Sequence, residues 1–276
     1  MTEITLNAYA KINIGLNVTG RAGVFHTIDT IMCTVSLCDE ITVRKCDGDA
    51  LSVRTDVPVE GENSALKALR IYTGRYGGGY SVSIKKRIPV GGGLGGSSAD
   101  AAGVFRALAA LNTARQPDRD MLLAAGSDVP FMYACGAARV QGIGERLSPL
   151  SLPSTNLMIA VPDFPVSTAA AYAAYDMTGG ETADIPLIAE ALRSHNINLL
   201  KANLKNALYT GASACEPRLK AFSALVASAC EPYSAPCSMT GSGSGFVVFA
   251  NDTDTLNAIA STLKPYAQVF VVRTVG

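Results

Sequence analysis

The sequence predicts an α+β fold, and three observations lead to that prediction. The first 57 residues alternate apolar and polar side chains, which is typical of strands with one buried face. A glycine-rich stretch at residues 89–98 lies between an expected strand and an expected helix. Beyond Pro162 the apolar residues recur instead with the spacing of helices. This change of pattern predicts two domains, 1–160 and 161–276.

Strands are expected mainly in the first part of the chain. Residues 8–11 should form an irregular corner between the first two strands, and residues 20–26 a loop. The predicted strands are Glu3–Leu6, Ile12–Val18, Thr27–Val43, Leu51–Val57, Tyr80–Ile88, Ala137–Gln141, Leu157–Val161, Phe246–Ala250 and Val269–Thr274.

Helices are expected mainly in the second part, where apolar residues recur every three or four positions. Gly126 and Pro130 predict a break after one short helix, because proline disfavours helical backbone at the residue before it. The predicted helices are Asn63–Tyr72, Ala99–Leu111, Asp118–Ala125, Thr168–Tyr175, Ile185–Ser194, Leu199–Tyr209, Pro217–Ala229 and Leu256–Leu263.

The glycine-rich stretch, Pro89 to Ser98, has the order strand, glycine loop, helix start. Glycines allow close approach of a ligand to the backbone, and the N–H groups and positive dipole end of a helix favour negative charge. Several N–H groups would have to converge, since each dipole contact contributes only about 0.3–1 kcal/mol. The pattern therefore favours a phosphate site.

Three other interpretations of this stretch are possible. Gly91-x-Gly93-x-x-Gly96 satisfies the dinucleotide fingerprint, but that motif belongs to the first strand–helix unit of a domain, and ninety residues precede it here. A Walker loop needs Gly-Lys-Ser or Gly-Lys-Thr, which the sequence lacks. A purely structural turn stays open, although it does not need so many glycines.

Composition narrows the class of protein. The 276 residues carry a formal net charge of zero and contain no basic run, which argues against nucleic acid or an anionic membrane as the partner. The seven cysteines form no Cys-x-x-Cys pair, and two histidines cannot complete a finger-type zinc site. The first residues do not resemble a signal peptide. We expect a cytoplasmic protein that is a monomer or a weak homodimer.

Two candidate groups of side chains stand out before any family is considered. Lys11 lies in an apolar run, where a cation needs a partner, and Asp128 is the best candidate; the pair could orient a substrate hydroxyl or could be a structural ion pair. Phe25 and His26 together would suit a flat heterocycle, although a surface loop histidine is the alternative. A second glycine-rich loop, Thr240–Gly245, could close over phosphates or form a tight turn.

Three segments in this order resemble the motifs of the GHMP kinase superfamily. They are Tyr9-Ala-Lys-Ile-Asn13, Ile88-Pro-Val-Gly-Gly-Gly-Leu-Gly-Gly-Ser-Ser98 and Met239-Thr-Gly-Ser-Gly-Ser244. Within the superfamily, further segments resemble the kinases that act on a cytidyl-capped methylerythritol. These segments are Asn17–Gly20 with Phe25-His26, Ser36–Glu40, Gly126–Phe131 and Gly142–Glu145.

This resemblance implies a two-domain GHMP kinase fold with ATP and substrate in the cleft between the domains. It implies transfer of the γ-phosphate of ATP, with Mg²⁺, to the 2-hydroxyl of the cytidyl-capped methylerythritol, a step of the methylerythritol phosphate route to isoprenoid precursors. Lys11 and Asp128 would be the catalytic residues. The implied substrate-binding residues are Asn13, Phe25, His26, Thr168 and Tyr172. The implied ATP-binding residues are Asn63, Lys86, Pro89, Gly91, Gly92, Gly93, Leu94, Gly95, Gly96, Ser97, Ser98, Gly241 and Ser242.

The sequence departs from the family pattern in three respects, one of which is that several connections, including Arg75–Tyr80 and Asn112–Asp120, are short. The loop before His26 is about one residue shorter than usual, and Phe25 replaces a tyrosine. Ser97 and Ser98 stand where many members have an additional glycine before their serines. Two alternative functions therefore stay open: a GHMP kinase for another small alcohol, such as mevalonate or homoserine, and a catalytically silent member that binds a small ligand.

Overall fold

The computed structural model describes residues 2–56 and 63–275, and these residues form ten β-strands and ten α-helices. The predicted α+β class is therefore confirmed. Val57, the expected end of a strand, and the termini of the two predicted domains, residues 1 and 276, lie outside the described residues.

The chain packs as two compact units, each drawn from several segments. The first unit comprises residues 1–10, 37–88 and 95–135, and the second comprises 11–36, 89–94 and 136–276. The continuous domains expected from the sequence, 1–160 and 161–276, remain a prediction, since compact packing does not by itself establish an independently folding domain. No helix in the described ranges is long and apolar enough to cross a bilayer.

The first unit contains a small sheet and four helices. Strand β4 (Gly79–Lys85) pairs parallel with β3 (Leu51–Thr55) and antiparallel with the second half of β2 (Phe25–Cys46). The strand β1 (Glu3–Ala22) also pairs with β2. The helices are α1 (Ser64–Tyr76), α2 (Gly96–Leu111), α3 (Arg119–Ala125) and α4 (Val129–Ala134).

Strand β1 corrects one expectation from the sequence. The structure has a single strand of 20 residues where two strands and a corner at residues 8–11 were expected. Consecutive residues from Ala10 to Ile14 are all buried, including Lys11 and Asn13. A strand covered on both faces loses the alternation that identifies strands with one buried face. The expected loop at 20–26 is likewise reduced to a short turn between β1 and β2.

The second unit is built around an antiparallel sheet in the order β2-β10-β7-β9-β8, with β5 pairing to β2 and β6. Its strands are β5 (Ala137–Gly142), β6 (Arg146–Pro149), β7 (Asn156–Val161), β8 (Cys237–Met239), β9 (Phe246–Phe249) and β10 (Gln268–Val275). Its helices are α5 (Thr168–Thr178), α6 (Ile185–Arg193), α7 (Ile197–Asn203), α8 (Tyr209–Cys215), α9 (Arg218–Cys230) and α10 (Thr253–Leu263).

The core of the second unit lies between this sheet and helices α9 and α10. Phe222 of α9 packs edge-on against Phe164 and Phe246, with ring centroids 6.3 and 5.7 Å away. Leu256 and Ile259 of α10 are fully buried in the same cluster. Each such side chain contributes roughly 1.5–3 kcal/mol by burial, so this core holds the sheet in place.

The helix expected at Leu199–Tyr209 is interrupted in the structure. Helix α7 ends at Asn203 and α8 begins at Tyr209, because the amide of Asn206 bonds to two backbone carbonyls of a neighbouring loop. The short elements α4, β6 and β8 were also not expected, since three to six residues are too few to show a periodic pattern.

Candidate active site

Lys11 and Asn13 form a buried polar pair on strand β1 in the second unit. Lys11 Nζ donates to Asn13 Oδ1 at 2.7 Å, and both residues are at most 5% exposed. Asn13 Nδ2 donates to Thr30 Oγ1 at 3.2 Å, and Thr30 donates onward to the carbonyl of Gly15. This chain of hydrogen bonds orients the Asn13 amide so that its oxygen faces the lysine.

The second glycine-rich loop, Thr240–Gly245, packs directly against this pair. The backbone N–H of Asn13 donates to Thr240 Oγ1 at 2.8 Å. Gly241 has φ +57°, and a Cβ there would lie 3.2 Å from Lys11 Nζ and 2.9 Å from the Gly93 carbonyl oxygen. A larger residue at 241 would be strained and would press on the lysine, so the loop fits only because of the glycine.

The first glycine-rich stretch meets the second loop along its backbone. The N–H groups of Ser244 and Gly245 donate to the carbonyls of Gly91 and Gly92 at 3.1 and 3.2 Å. A Cβ on Gly93, whose φ is +72°, would lie 2.3 Å from the Thr240 carbonyl oxygen. The glycines at 91–93 therefore bring the two loops into contact, a structural requirement that the sequence did not reveal.

The second loop is also held from two other sides. Asn206 Nδ2 donates to the carbonyls of Met239 and Gly241 at 2.8 and 2.9 Å. Ser242 Oγ lies 2.8 Å from the hydroxyl of Thr168, the first residue of α5. The structure thus brings together the predicted residues Thr168 and Ser242, although they came from two different predicted sites.

His26 lies against helix α5 in the second unit. Its ring stacks on that of Tyr172, with centroids 4.7 Å apart and planes 25° apart. His26 Nε2 lies 2.7 Å from Asp176 Oδ1, and the other carboxylate oxygen of Asp176 is paired with Arg21. The hydrogen bond from His26 and the positive charge of Arg21 hold the pKa of Asp176 below its usual range. The carboxylate is therefore ionised at neutral pH.

Phe25 begins strand β2, next to Val24, at the tip of the β1–β2 hairpin. The two residues are 61% and 81% exposed, which is unusual for large apolar side chains at adjacent positions. A flat ligand beside His26 could cover the Phe25 ring. The stacking role of Phe25 stays a prediction.

Helix α2 in the first unit begins with Gly96, within the last part of the first glycine-rich stretch. Its N-cap residue Gly95 is in the left-handed conformation, φ 70° and ψ 25°, and no side chain caps the helix. Helices α1 and α3 of the same unit are instead capped by Asn63 and Asp118. The first-turn N–H groups of α2, including those of Ser97 and Ser98, are therefore suited to an anion.

Lys86 lies under the beginning of helix α2, where it is bound by two carboxylates. Its Nζ donates to Asp39 Oδ2 at 2.6 Å and to Asp100 Oδ2 at 2.7 Å, and all three side chains are at least nine-tenths buried. Burial lowers the pKa of Lys86, but the two carboxylates more than offset this and the pKa is raised. Burial raises the pKa of Asp100 to about 7.

The other two predicted residues of the first unit have defined local roles. Asn63 Oδ1 accepts hydrogen bonds from the N–H groups of Ala65 and Leu66, so its side chain caps α1. Asp128 precedes α4 but does not cap it, and its side chain is partly exposed. The predicted ATP contact of Asn63 and Lys86 and the catalytic role of Asp128 stay predictions.

Several residues that build these sites were missed by reasoning from the sequence. Asp176 lies four residues after Tyr172 on α5, a spacing that puts both on one helix face, but the predicted helix ended at Tyr175. Asn206 gave no signal, and Thr240 was noted only as part of the second glycine-rich loop, because their contacts join segments distant in sequence. Asp39 lies within the segment Ser36–Glu40 and Asp100 within the predicted helix Ala99–Leu111, but neither could be paired with Lys86 from spacing alone.

Comparison with known proteins agrees with the resemblance noted in the motifs. Residues 63–136 match the family described as GHMP kinases N terminal domain. The 4-diphosphocytidyl-2-C-methyl-D-erythritol kinase of Moorella thermoacetica is 35% identical, over 99% of this chain and 100% of its own length. The protein of the same name from Caldicellulosiruptor saccharolyticus is 34% identical, over 98% of this chain and 96% of its own length.

A solved structure agrees with these relatives. The crystal structure of a 4-(cytidine 5'-diphospho)-2C-methyl-D-erythritol kinase matches with a TM-score of 0.84 at 31% identity, covering 99% of this chain and 100% of that chain. The GHMP kinase fold expected from the motifs is therefore confirmed. Because relatives match nearly the whole chain at 34% and 35% identity, the chain belongs to the 4-diphosphocytidyl-2-C-methyl-D-erythritol kinase family of the GHMP kinases.

Proposed function

We propose that this protein is an ATP-dependent kinase that phosphorylates the 2-hydroxyl of 4-diphosphocytidyl-2-C-methyl-D-erythritol in the methylerythritol phosphate route to isoprenoid precursors. The observation that carries the proposal is the match of the whole chain, rather than of one motif, to kinases of that name. A match confined to the phosphate-binding segment would support only a kinase of some small alcohol.

Lys11 and Asp128 are the proposed catalytic residues. Asp128 would orient the acceptor hydroxyl or take its proton, and Lys11 would stabilise negative charge on the transferred group. The burial of Lys11 supports this role, since a cation interacts more strongly with charge where water is excluded. Asn13 would lie beside the acceptor, because its amide is already held next to the lysine.

ATP is assigned to the two glycine-rich segments and to the beginning of helix α2. The uncapped N–H groups at Gly96–Ser98 can receive phosphate oxygens, and Gly241 and Ser242 would border the same phosphates. Pro89, Gly91–Gly95, Asn63 and Lys86 complete the proposed ATP site.

Mg²⁺ would be bound mainly through the phosphates of ATP. Residues 2–56 and 63–275 contain no cluster of three His, Cys, Asp or Glu side chains that could hold a metal. Mg²⁺ in kinases commonly keeps several waters and takes only one or two protein ligands. The hydroxyls of Ser97 and Ser98 fit such a limited contribution. The bound ion would neutralise charge between the phosphates.

The cytidine end of the substrate is assigned to the group of residues around His26. Phe25 and Tyr172 would offer aromatic faces and His26 a hydrogen-bonding edge, while Thr168 would be a nearby polar contact. The stacking of His26 on Tyr172 supports this assignment, because it presents a fixed, partly exposed imidazole edge.

We also assign the protein to the cytoplasm, as a monomer or a weak homodimer. All seven cysteines are free thiols, which fits a reducing compartment. Light scattering across a concentration series would measure the oligomeric state, and a tight dimer would contradict this assignment.

The proposed activity is tested by coupled ADP release with MgATP. The assay compares 4-diphosphocytidyl-2-C-methyl-D-erythritol with mevalonate, homoserine and the uncapped methylerythritol phosphate. We expect turnover with the cytidyl compound alone, and no turnover in excess chelator. Turnover only with another alcohol would overturn the substrate assignment, and a silent protein that still binds nucleotide would favour the ligand-binding alternative.

The proposed catalytic role of Asp128 is tested with a matched pair of variants. Asp128→Asn should lower kcat by roughly 10²–10⁴-fold, the usual contribution of a positioned acid or base, while ATP affinity is retained. Asp120→Asn, an exposed aspartate in the first turn of α3, should leave kcat unchanged. Equal kcat values in the two variants would remove Asp128 from the mechanism.

A further inference from the structure

Within residues 2–56 and 63–275, Asp176 is the acidic residue that contacts the candidate base-binding histidine. We propose that Asp176 is a positioning residue that holds His26 in its Nε2-protonated form, so that Nδ1 accepts from the amino group of cytosine and the site rejects uracil. This proposal rests on the proposed function for the identity of the substrate, but its structural part concerns the free protein.

The direction of the hydrogen bond follows from the charge on Asp176. The Asp176 carboxylate is ionised at neutral pH, because aspartate normally titrates well below 7 and Arg21 pairs with its second oxygen. An ionised carboxylate has only acceptor atoms. The 2.7 Å contact between His26 Nε2 and Asp176 Oδ1 therefore places the proton on Nε2.

Arg21 and Tyr172 fix the geometry of this contact. Arg21, near the end of β1, takes the second carboxylate oxygen of Asp176, which prevents the carboxylate from rotating away from the imidazole. Tyr172 covers one face of the ring, and it lies on α5 four residues before Asp176. Tyr172 and Asp176, on one face of α5, thus determine both the plane of the imidazole and which of its nitrogens forms the hydrogen bond.

The remaining ring nitrogen is then the atom that can meet a ligand. No residue in the described parts of the chain hydrogen-bonds His26 Nδ1, and the side chain is 12% exposed. In a neutral imidazole protonated on Nε2, Nδ1 is an acceptor. Asp176 therefore determines whether the second ring nitrogen of His26 donates or accepts.

An acceptor at this position distinguishes the two pyrimidines. Cytosine carries an amino group at C4, which donates, whereas uracil carries a carbonyl oxygen there, which accepts. Two facing acceptors leave both groups without a hydrogen bond, and sites built to bond a substrate N–H discriminate strongly against analogues that lack it. Because the ring is partly open to water, we expect a preference for cytosine of roughly 10- to 100-fold.

The experiment measures kcat/KM for the cytidyl substrate and for its uridyl analogue in wild type, Asp176→Ala and Asp176→Glu. We expect Asp176→Ala to lower the cytidyl-to-uridyl ratio by roughly tenfold, mainly through KM of the cytidyl compound, with KM for ATP unchanged. Asp176→Glu should restore part of the ratio. Asp254→Ala, which removes an exposed carboxylate from α10, is the matched control and should leave the ratio unchanged.

A second measurement does not depend on activity. Nitrogen-15 NMR of the free protein at the assay pH reports which imidazole nitrogen of His26 carries a proton, with His195 as the internal reference. We expect protonation on Nε2 alone in wild type and a mixture of tautomers in Asp176→Ala. An imidazolium, or a proton on Nδ1, in wild type would overturn the proposal.

The two measurements separate this proposal from the proposed function. If wild type does not use the cytidyl compound, the proposed function fails, while NMR still decides the state of His26. If wild type uses it and Asp176→Ala keeps the full cytosine preference, Asp176 is not a specificity-determining residue.

Discussion

Two clusters in this protein join acidic and basic side chains but differ in their exposure to water. In the first unit, Lys86 lies between Asp39 and Asp100, and these side chains are 7%, 0% and 9% exposed. In the second unit, Asp176 lies between Arg21 and His26, and the side chains of Asp176 and Arg21 are 35% and 50% exposed. The same pairing of charges therefore has different consequences in the two places.

The side chains of the buried cluster form hydrogen bonds with one another and with nearby backbone N–H groups. Asp39 Oδ1 accepts from the N–H groups of Arg87 and Ile88, and its other oxygen accepts from Lys86. Among the buried side-chain atoms of the described residues, only Asp100 Oδ1 has no hydrogen-bond partner. The cluster thus fixes the end of β4 against the first turn of α2, next to the candidate phosphate site.

The exposed cluster is open on one side. Both carboxylate oxygens of Asp176 are engaged, whereas Nδ1 of His26 has no hydrogen-bond partner among the described residues, and the neighbouring Phe25 is 61% exposed. A surface ion pair contributes little to stability, because water screens it. The comparison indicates that the buried cluster supports the fold, whereas the exposed cluster is suited to recognition.

The largest expected effect is on the buried cluster. Lys86→Met leaves two carboxylates buried without their cation, and the free energy of unfolding should fall by roughly 3–5 kcal/mol. Urea denaturation measures this loss. Lys85→Met is the matched control, because Lys85 pairs with Glu40 but is 65% exposed, and it should lose no more than about 1 kcal/mol. A similar loss of unfolding free energy in the two variants would contradict the conclusion that the buried cluster supports the fold.

A second expected effect is a pH dependence that comes from the buried cluster alone. Asp100 has a raised pKa of about 7, so the folded state holds its proton more tightly than the unfolded state. This contribution to stability is complete below pH 4 and is lost as the pH rises through 7. Between pH 5 and pH 8 the loss should amount to about 2–3 kcal/mol.

Unfolding at several pH values in wild type and Asp100→Asn measures this contribution as a difference. The variant should lose less stability than wild type as the pH rises from 5 to 8. Asp47→Asn, at an exposed aspartate in the first unit, should follow the wild-type profile. Parallel profiles for wild type and Asp100→Asn would show that Asp100 does not titrate in this range.

The smallest expected effect concerns the exposed cluster and appears in binding. Phe25→Ala should weaken binding of the cytidyl substrate by roughly tenfold, about 1.4 kcal/mol, because a stacking face for the base is lost. ATP affinity and the free energy of unfolding should not change, since Phe25 is 61% exposed.

Isothermal titration calorimetry with each ligand measures these affinities separately. Tyr266→Ala removes an aromatic side chain of similar exposure, 59%, elsewhere in the second unit and should affect neither ligand. Equal losses for ATP and the cytidyl compound in Phe25→Ala would mean that the hairpin tip acts as a scaffold rather than as part of a base site.

Much of the fold followed from local sequence patterns. The helix after the glycine-rich stretch and the helices of the second part were predicted within a few residues of their observed bounds, because their periodic apolar faces are long enough to detect. Strand β1 was divided wrongly because burial on both faces removed its alternation. The helix expected across Asn206 was wrong because a tertiary contact competes with the helix there.

The sequence by itself determined the α+β class, the family and the residue types of the candidate site, because motifs and periodicity are local properties of the chain. Only the tertiary structure decided how the charges are paired. Lys86 pairs with two carboxylates, and Asp176 pairs with His26. The paired residues are 14 to 150 positions apart in the sequence. Pairings over such separations depend on how the elements pack, and spacing along the chain carries no information about them.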